Sequence, residues 1–109
     1  MTATTAGARQ AQQFAALADD TRWAILELLG SEPRSASELA RELPVSRQAI
    51  AKHLAVLQEV GLVEPVRVGR EVQYRVLGSQ LRATASRLDE IGTEWDRRLA
   101  AIKEIAQNL

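Results

Sequence analysis

The sequence predicts a mainly α domain carrying one small β-hairpin, and three changes of rhythm predict it. Apolar residues recur at helical spacing as far as Leu62. They then alternate between Val66 and Val76, and they return to helical spacing from Leu81 onward. With 109 residues, 46% of them hydrophobic, the chain suits one compact domain spanning 1–109. One Phe, one Tyr and two Trp are its only aromatic residues, so the core must be aliphatic.

Residues 1–7 are small and polar and are expected to be frayed. A first helix is expected from about Ala8 to Ala18, with Phe14, Leu17 and Ala18 on one face. Asp19 is suited to cap the second helix, with Asp20 at its positive end. That helix carries Ile25, Leu28 and Leu29 at core spacing, with Leu26 beside them, and is expected to stop at Gly30 ahead of Pro33.

Ser35 and Glu38 have the spacing of a capping box, opening a short third helix that turns Leu39, Ala40 and Leu43 inward. Pro44 ends it and disfavours helical geometry at Leu43. Ser46 then caps a fourth helix with Ile50, Leu54 and Leu57 inward and a glycine stop at Gly61. Helix, tight turn, helix over roughly two dozen residues is a helix-turn-helix. The hairpin follows: Val66 and Val68, then Val72, Tyr74 and Val76, alternate with Arg67, Glu71, Gln73 and Arg75. Gly69-Arg70 between the runs suits a type II′ turn. A hairpin directly after a helix-turn-helix is a wing.

From 79 to 109 the pattern is helical again. Leu81, Leu88, Trp95, Ile102 and Leu109 recur every seven residues, and Ala85, Gly92, Leu99 and Ala106 fill the adjacent stripe. A helix of that length would run about 45 Å. A domain of this size has a radius of gyration of about 13 Å and cannot cover it. The simplest partner for a long apolar stripe is another copy of itself, which makes this a dimerisation helix. Gly92 is expected to weaken or bend it by about 1 kcal/mol relative to Ala.

The fourth helix offers polar groups at its first turns and an apolar face behind them, as a helix docked in a major groove must. Ser46 can hold a phosphate through its hydroxyl and the helix-start amides. Arg47 and Lys52 can pair with guanine, Gln48 with adenine, and Ala51 allows close approach or meets a thymine methyl. His53 is the single histidine, and a phosphate contact and a packing role are both open to it. On the wing, Arg67, Arg70 and Arg75 can hold flanking phosphates or reach the minor groove, Arg70 at the tip foremost. Net charge is zero, but from Arg41 to Leu77 six basic residues face four acidic ones, so the positive excess lies with these groups. The alternative is a winged helix whose reading face binds protein instead of DNA, which the zero net charge and Glu59, Glu64 and Glu71 favour.

Other chemistries find little support. There is no cysteine, which excludes disulfides, thiolate metal sites and cysteine redox sensing. No apolar run approaches the ~20 residues of a membrane span. MTATTAGARQAQQ lacks a basic start followed by an apolar segment, so no secretory signal, no membrane partner and a cytoplasmic location are expected. The acidic set Asp89, Glu90, Glu94 and Asp96 is interleaved with Arg87, Arg97 and Arg98, the pattern of a solvated, ion-paired face rather than a metal site. Trp23 can line a cavity or close the core, and Trp95 falls on the heptad stripe. No nucleophile–base pair, phosphate loop or paired catalytic carboxylates stand at useful spacing, so neither catalysis nor a cofactor is expected.

Three segments, AALADDTRWAILELL (Ala15 to Leu29), SASELARELPVSRQAIAKHLAVLQEVGLVEP (Ser35 to Pro65) and VGREVQYRV (Val68 to Val76), stand in the order and spacing of a known family. The chain resembles the ArsR/SmtB group of bacterial winged-helix transcriptional repressors over about half its length. The resemblance implies a winged helix-turn-helix whose first and last helices build a homodimer, with Phe14, Leu81, Leu88, Trp95, Leu99 and Ile102 at the interface. It further implies repression by binding double-stranded operator DNA, relieved by an inducer, here an unknown small-molecule effector. Many members of the group sense metals through cysteines before the reading helix or through Asp/His pairs on the last helix. Here the third helix has no Cys and the last has no His, so that metal switch does not transfer. Trp23 stands where the group usually has Arg.

Overall fold

The computed structural model describes residues 6–107, and it is mainly α with one small sheet. Helix α1 (Ala6–Leu17) begins inside the stretch expected to be frayed and ends one residue before the predicted Ala18. Residues 1–5, the remainder of that stretch, and Leu109, the last member of the heptad stripe, lie outside the described residues.

Helix α2 (Asp20–Ser31) starts as expected: the Asp19 carboxylate accepts from the Arg22 amide at 3.0 Å. It runs through Gly30. What stops it is Pro33, which forces Glu32 into an extended conformation (φ −164°, ψ 157°). Leu26 is buried with Ile25 and Leu29, whereas Leu28 only packs against the core's edge.

The wing is part of a three-stranded antiparallel sheet, not an isolated hairpin. Strand β1 (Arg34–Ser35) pairs with β3 (Glu71–Val76), which pairs with β2 (Val63–Val68), giving the order β1-β3-β2. Two residues carry no readable alternation, so β1 is invisible in the sequence. Its Ser35 then opens α3 (Ala36–Glu42), where both arms of the predicted capping box form: Glu38 N to Ser35 Oγ at 3.1 Å and Ser35 N to Glu38 Oε1 at 2.9 Å. Leu43 is extended ahead of Pro44, and Ser46 caps α4 (Arg47–Glu59) by accepting from Ala49 N at 3.1 Å. Gly61 closes α4 at φ +81°, where a side chain would be strained.

In β2 and β3 the register sets Val66 opposite Gln73 and Val68 opposite Glu71, but Pro65 opposite Tyr74 and Val63 opposite Val76. Directly opposed residues share a face. The two apolar runs therefore lie on opposite faces of the hairpin, and only the face of Val63, Tyr74 and Val76 meets the core. Gly69 has φ +63° while Arg70 has negative φ, the signature of the expected type II′ turn.

The core is Ile25, Leu26, Leu29, Leu39, Ile50, Leu54, Leu57, Leu62 and Val63. Helix α5 (Gly78–Gln107) leaves it as one uninterrupted thirty-residue helix, continuous through Gly92. The radius of gyration is 18.5 Å and the longest extent 68 Å. A compact chain of this length would be near 13 Å, and the excess is the projecting part of α5.

Candidate nucleic-acid interface

The start of α4 faces an open cleft of about 520 Å³. Its walls come from three places: Ser35, Ala36 and Ser37 at the start of α3, Arg47, Gln48 and Ala51 on α4, and Arg70, Glu71, Val72 and Tyr74 on the wing. Arg47 and Ala51 are one turn apart on α4, and Gln48 follows Arg47, so the three share the exposed side while Ile50, Leu54 and Leu57 anchor the opposite side.

Four of the eight candidate residues thus meet: Arg47, Gln48, Ala51 and Arg70. Ser46 and Lys52 are exposed beside them on α4 without lining the cleft. The Ser46 oxygen accepts the helix-start amide, which leaves its hydroxyl hydrogen free for a phosphate. Arg67 is exposed opposite Val72 and so shares the hairpin face from which Val72 and Tyr74 reach the cleft. His53 does not join them. It is half-buried, its Nδ1 3.4 Å from an Arg22 nitrogen and 4.0 Å from Asp19 Oδ1, on the side of α4 that faces α2. Ser37 and Tyr74 are cleft residues the sequence pattern did not single out. Ser37 reads as a helix start and Tyr74 as one more strand residue, and the β1–β3 pairing together with direct contact between α3 and β3 brings them to one cleft.

The cations divide into two groups. Arg75 Nε donates to Glu64 Oε1 at 2.6 Å, Arg34 Nε lies 2.9 Å from Glu42, and Arg22 Nε donates to the Ala16 carbonyl at 2.6 Å. These three are each engaged within the chain, Arg75 in an exposed ion pair with Glu64 on the wing. Arg47, Lys52, Arg67 and Arg70 form no ion pair among the described residues. A free guanidinium beside an open cleft keeps its full donor set for an anion.

Two carboxylates near this scaffold titrate low. The Asp19 carboxyl is held below its ordinary range first by the Arg22 amide bond, and further by the Arg22 charge and His53. Glu38 is held low by its bonds to the Ser35 backbone and side chain. Both stay charged, so both caps remain made near neutrality.

The predicted interface residues form a second exposed surface. Phe14 and Leu81 are half-buried in an apolar groove of about 550 Å³ between α1, α2 and α5, which Leu17, Trp23, Leu26, Ala85 and Leu88 also line. Leu88 at the groove's edge and Trp95, Leu99 and Ile102 beyond it are between 51% and 59% exposed. Ile91 and Ile105 extend the same surface and were not foreseen. The expected ion-paired face of α5 is present, with Arg87 bonded to Glu90 at 3.1 Å and Arg98 to Glu94 at 3.4 Å. Among the described residues no group of three or more acidic or histidine side chains could hold a metal, and no helix is long and apolar enough to cross a membrane.

Residues 17–66 match a helix-turn-helix domain family. The chain is 40% identical over 90 residues to the HTH-type transcriptional regulator Rv2034 of Mycobacterium tuberculosis, covering 83% of this chain and 81% of that protein. Among solved structures it is similar to an ArsR-like transcriptional regulator from Rhodococcus sp. RHA1, with a TM-score of 0.83, 64% identity and coverage of 92% and 94%. It is also similar to the homodimeric winged helix-turn-helix DNA-binding domain Mb0332 of Mycobacterium bovis, a possible ArsR-family regulator, with a TM-score of 0.65, 28% identity and 79% of each chain covered.

Proposed function

Because the chain belongs to the ArsR family of winged helix-turn-helix transcriptional regulators, we propose that it is a homodimeric repressor that reads a near-palindromic operator with α4 and clamps its flanks with the wing. The observation that carries this is the convergence of unpaired Arg47 and Arg70 with Gln48 and Ala51 on one open cleft. Arg47 can donate twice to a guanine edge, Gln48 can donate to and accept from an adenine edge, and Ala51 lets the helix approach the bases. Arg70 at the hairpin tip reaches the adjoining backbone, where charge positions the protein without reading sequence. Arg67 and Lys52 add charge beside it.

A single α4 covers one half-site. Two copies of α4 about 34 Å apart would enter successive major grooves on one side of the duplex. The bare stripe on α5 supplies the joint, and the homodimeric Mb0332 domain supports it. In this reading Phe14, Leu81, Leu88, Trp95, Leu99 and Ile102 are covered by the second copy. The whole chain then acts as one cytoplasmic, non-enzymatic domain. Repression follows from occupying the operator, and an inducer would act by releasing or reorienting the two α4 helices.

Titration of the DNA upstream of its own gene, by fluorescence anisotropy at several salt concentrations, tests the proposal. A salt-sensitive complex that forms at one sequence far below the concentration needed for random duplex is expected. The absence of any salt-sensitive complex would exclude it. Glu71 lies in the same cleft and favours the second reading, a protein-binding face. A stoichiometric protein partner captured without competition from DNA would establish that reading instead.

A further inference from the structure

One buried polar cluster ties the reading helix to the dimer helix. Gln13, on α1, is 1% exposed. Its Nε2 donates to the Val60 carbonyl at 2.9 Å, at the C-cap of α4, and to Gln80 Oε1 of α5 at 3.3 Å. Its Oε1 accepts the hydroxyl of Thr84, itself 2% exposed and also on α5. One turn earlier on α1, the Arg9 guanidinium lies where a Cβ of Gly61 would stand, against the end of α4. Gln10 donates to the Ala83 carbonyl of α5 at 3.3 Å. Helix α1 therefore grips the C-terminal end of α4 with one set of groups and α5 with the other, and Gln13 belongs to both.

Fold stability alone does not explain this. A buried amide is costly unless each of its polar atoms is met, and an apolar side chain of the same volume fills such a space without that demand. What the amide adds is direction: its bonds close only when the end of α4 and the face of α5 stand in one relative placement. Helix α4 has thirteen residues, about 20 Å of lever between that anchored end and the cleft at its start. A small rotation at Val60 becomes a displacement of Arg47 and Gln48 comparable to a base-pair step.

We propose that Gln13 is a positioning residue for operator recognition: with Thr84 and Gln80 it locks the reading helix onto the dimer helix and so sets the half-site spacing the dimer accepts. This rests on the dimeric operator-binding reading above. It assigns no DNA contact to Gln13.

The test uses the full chain with Gln13→Met, and with Thr84→Val, which removes one partner at nearly constant volume. Each is assayed for dimerisation by sedimentation, for affinity to random duplex, and for affinity to the operator with its half-sites at native spacing and moved by one base pair either way. Both variants are expected to dimerise and to bind random duplex as the parent does. Both should bind the native operator about tenfold more weakly and prefer its spacing less. A folded, dimeric variant with unchanged operator affinity and spacing preference overturns the positioning role. If Gln13→Met does not fold, Thr84→Val decides by the same criterion. A parent chain that binds no operator overturns the functional reading itself, which the first titration shows before any variant is made.

Discussion

The first turns of α4 and the outer half of α5 are both exposed, yet their chemistry is opposite. Arg47, Gln48 and Lys52 face water with unspent hydrogen-bond donors, a state water tolerates. Leu88, Trp95, Leu99, Ile102 and Ile105 face water with aliphatic and aromatic carbon, which water does not tolerate over so long a stripe. The first surface is complete in a single chain and awaits a polyanion. The second leaves its apolar side chains uncovered in a single chain, and on the reading proposed above a second copy covers them. The proposed function couples the two, because a dimer joined by the stripe would multiply the affinity of one reading helix by bringing the other into reach.

The largest effect should come from breaking the stripe. Trp95→Glu sets a carboxylate among apolar groups that a partner must cover, on a part of α5 remote from the core. Sedimentation should show a monomer whose winged-helix body still folds. Operator affinity should fall by at least about 100-fold, because the intramolecular second contact is lost. A variant that stays dimeric would place the interface elsewhere.

Next in size are the cleft residues. Arg47→Ala or Gln48→Ala should leave the dimer intact and cost about 1–3 kcal/mol of operator binding, with relaxed preference at the base pairs concerned. Arg70→Ala should cost less and cost it evenly across sequences. It should lower the slope of log affinity against log salt by about one per wing. Arg75→Ala is the control: its guanidinium is bound to Glu64, so it should change DNA binding little. If Arg75→Ala proved as damaging as Arg70→Ala, the division of the cations into bound and free groups would be wrong.

That division was not legible in the sequence, and the reason is physical. Periodicity reports which face of an element is apolar, so Ile50, Leu54 and Leu57, the switch at the wing and the stripe on α5 could all be read directly. The caps Asp19, Ser35 and Ser46 were legible because their hydrogen bonds are local. Everything that depended on distant pairing was hidden. The two-residue β1 exists only through its pairing with β3, and Ser37 reaches the cleft through the packing of α3 on α4 and β3. The sequence places Arg70 at the wing tip, but only the register shows that Glu64 stands opposite Arg75. Gln13 stands between Gln12 and Phe14 on a helix whose sequence marks only Phe14, Leu17 and Ala18 as sharing a face, and only the tertiary fold shows its amide met on both sides. His53 lies one position from Lys52, and the helical turn of about 100° between them carries it to α2 instead of the cleft.

The smallest effect separates the two regions by pH. Asp19 and Glu38 cap α2 and α3 and are held charged below their ordinary range by the helix-start amides they accept. A carboxyl whose folded-state pKa is depressed stabilises the fold at pH above its unfolded value and loses that contribution as pH falls through the folded value. Acid should therefore loosen the α2–α3 scaffold under the cleft, over the range below the usual carboxylate pKa, while leaving it untouched near neutrality. Both groups are solvent-accessible, so the change is modest. Urea unfolding between neutral pH and the acid range should show stability declining on acidification, and Glu38→Gln should decline less steeply than the parent because one of the two titrating caps is gone. Equal slopes would mean that the Glu38 arm of the capping box contributes nothing, and that Ser35 alone fixes the start of α3 against the wing.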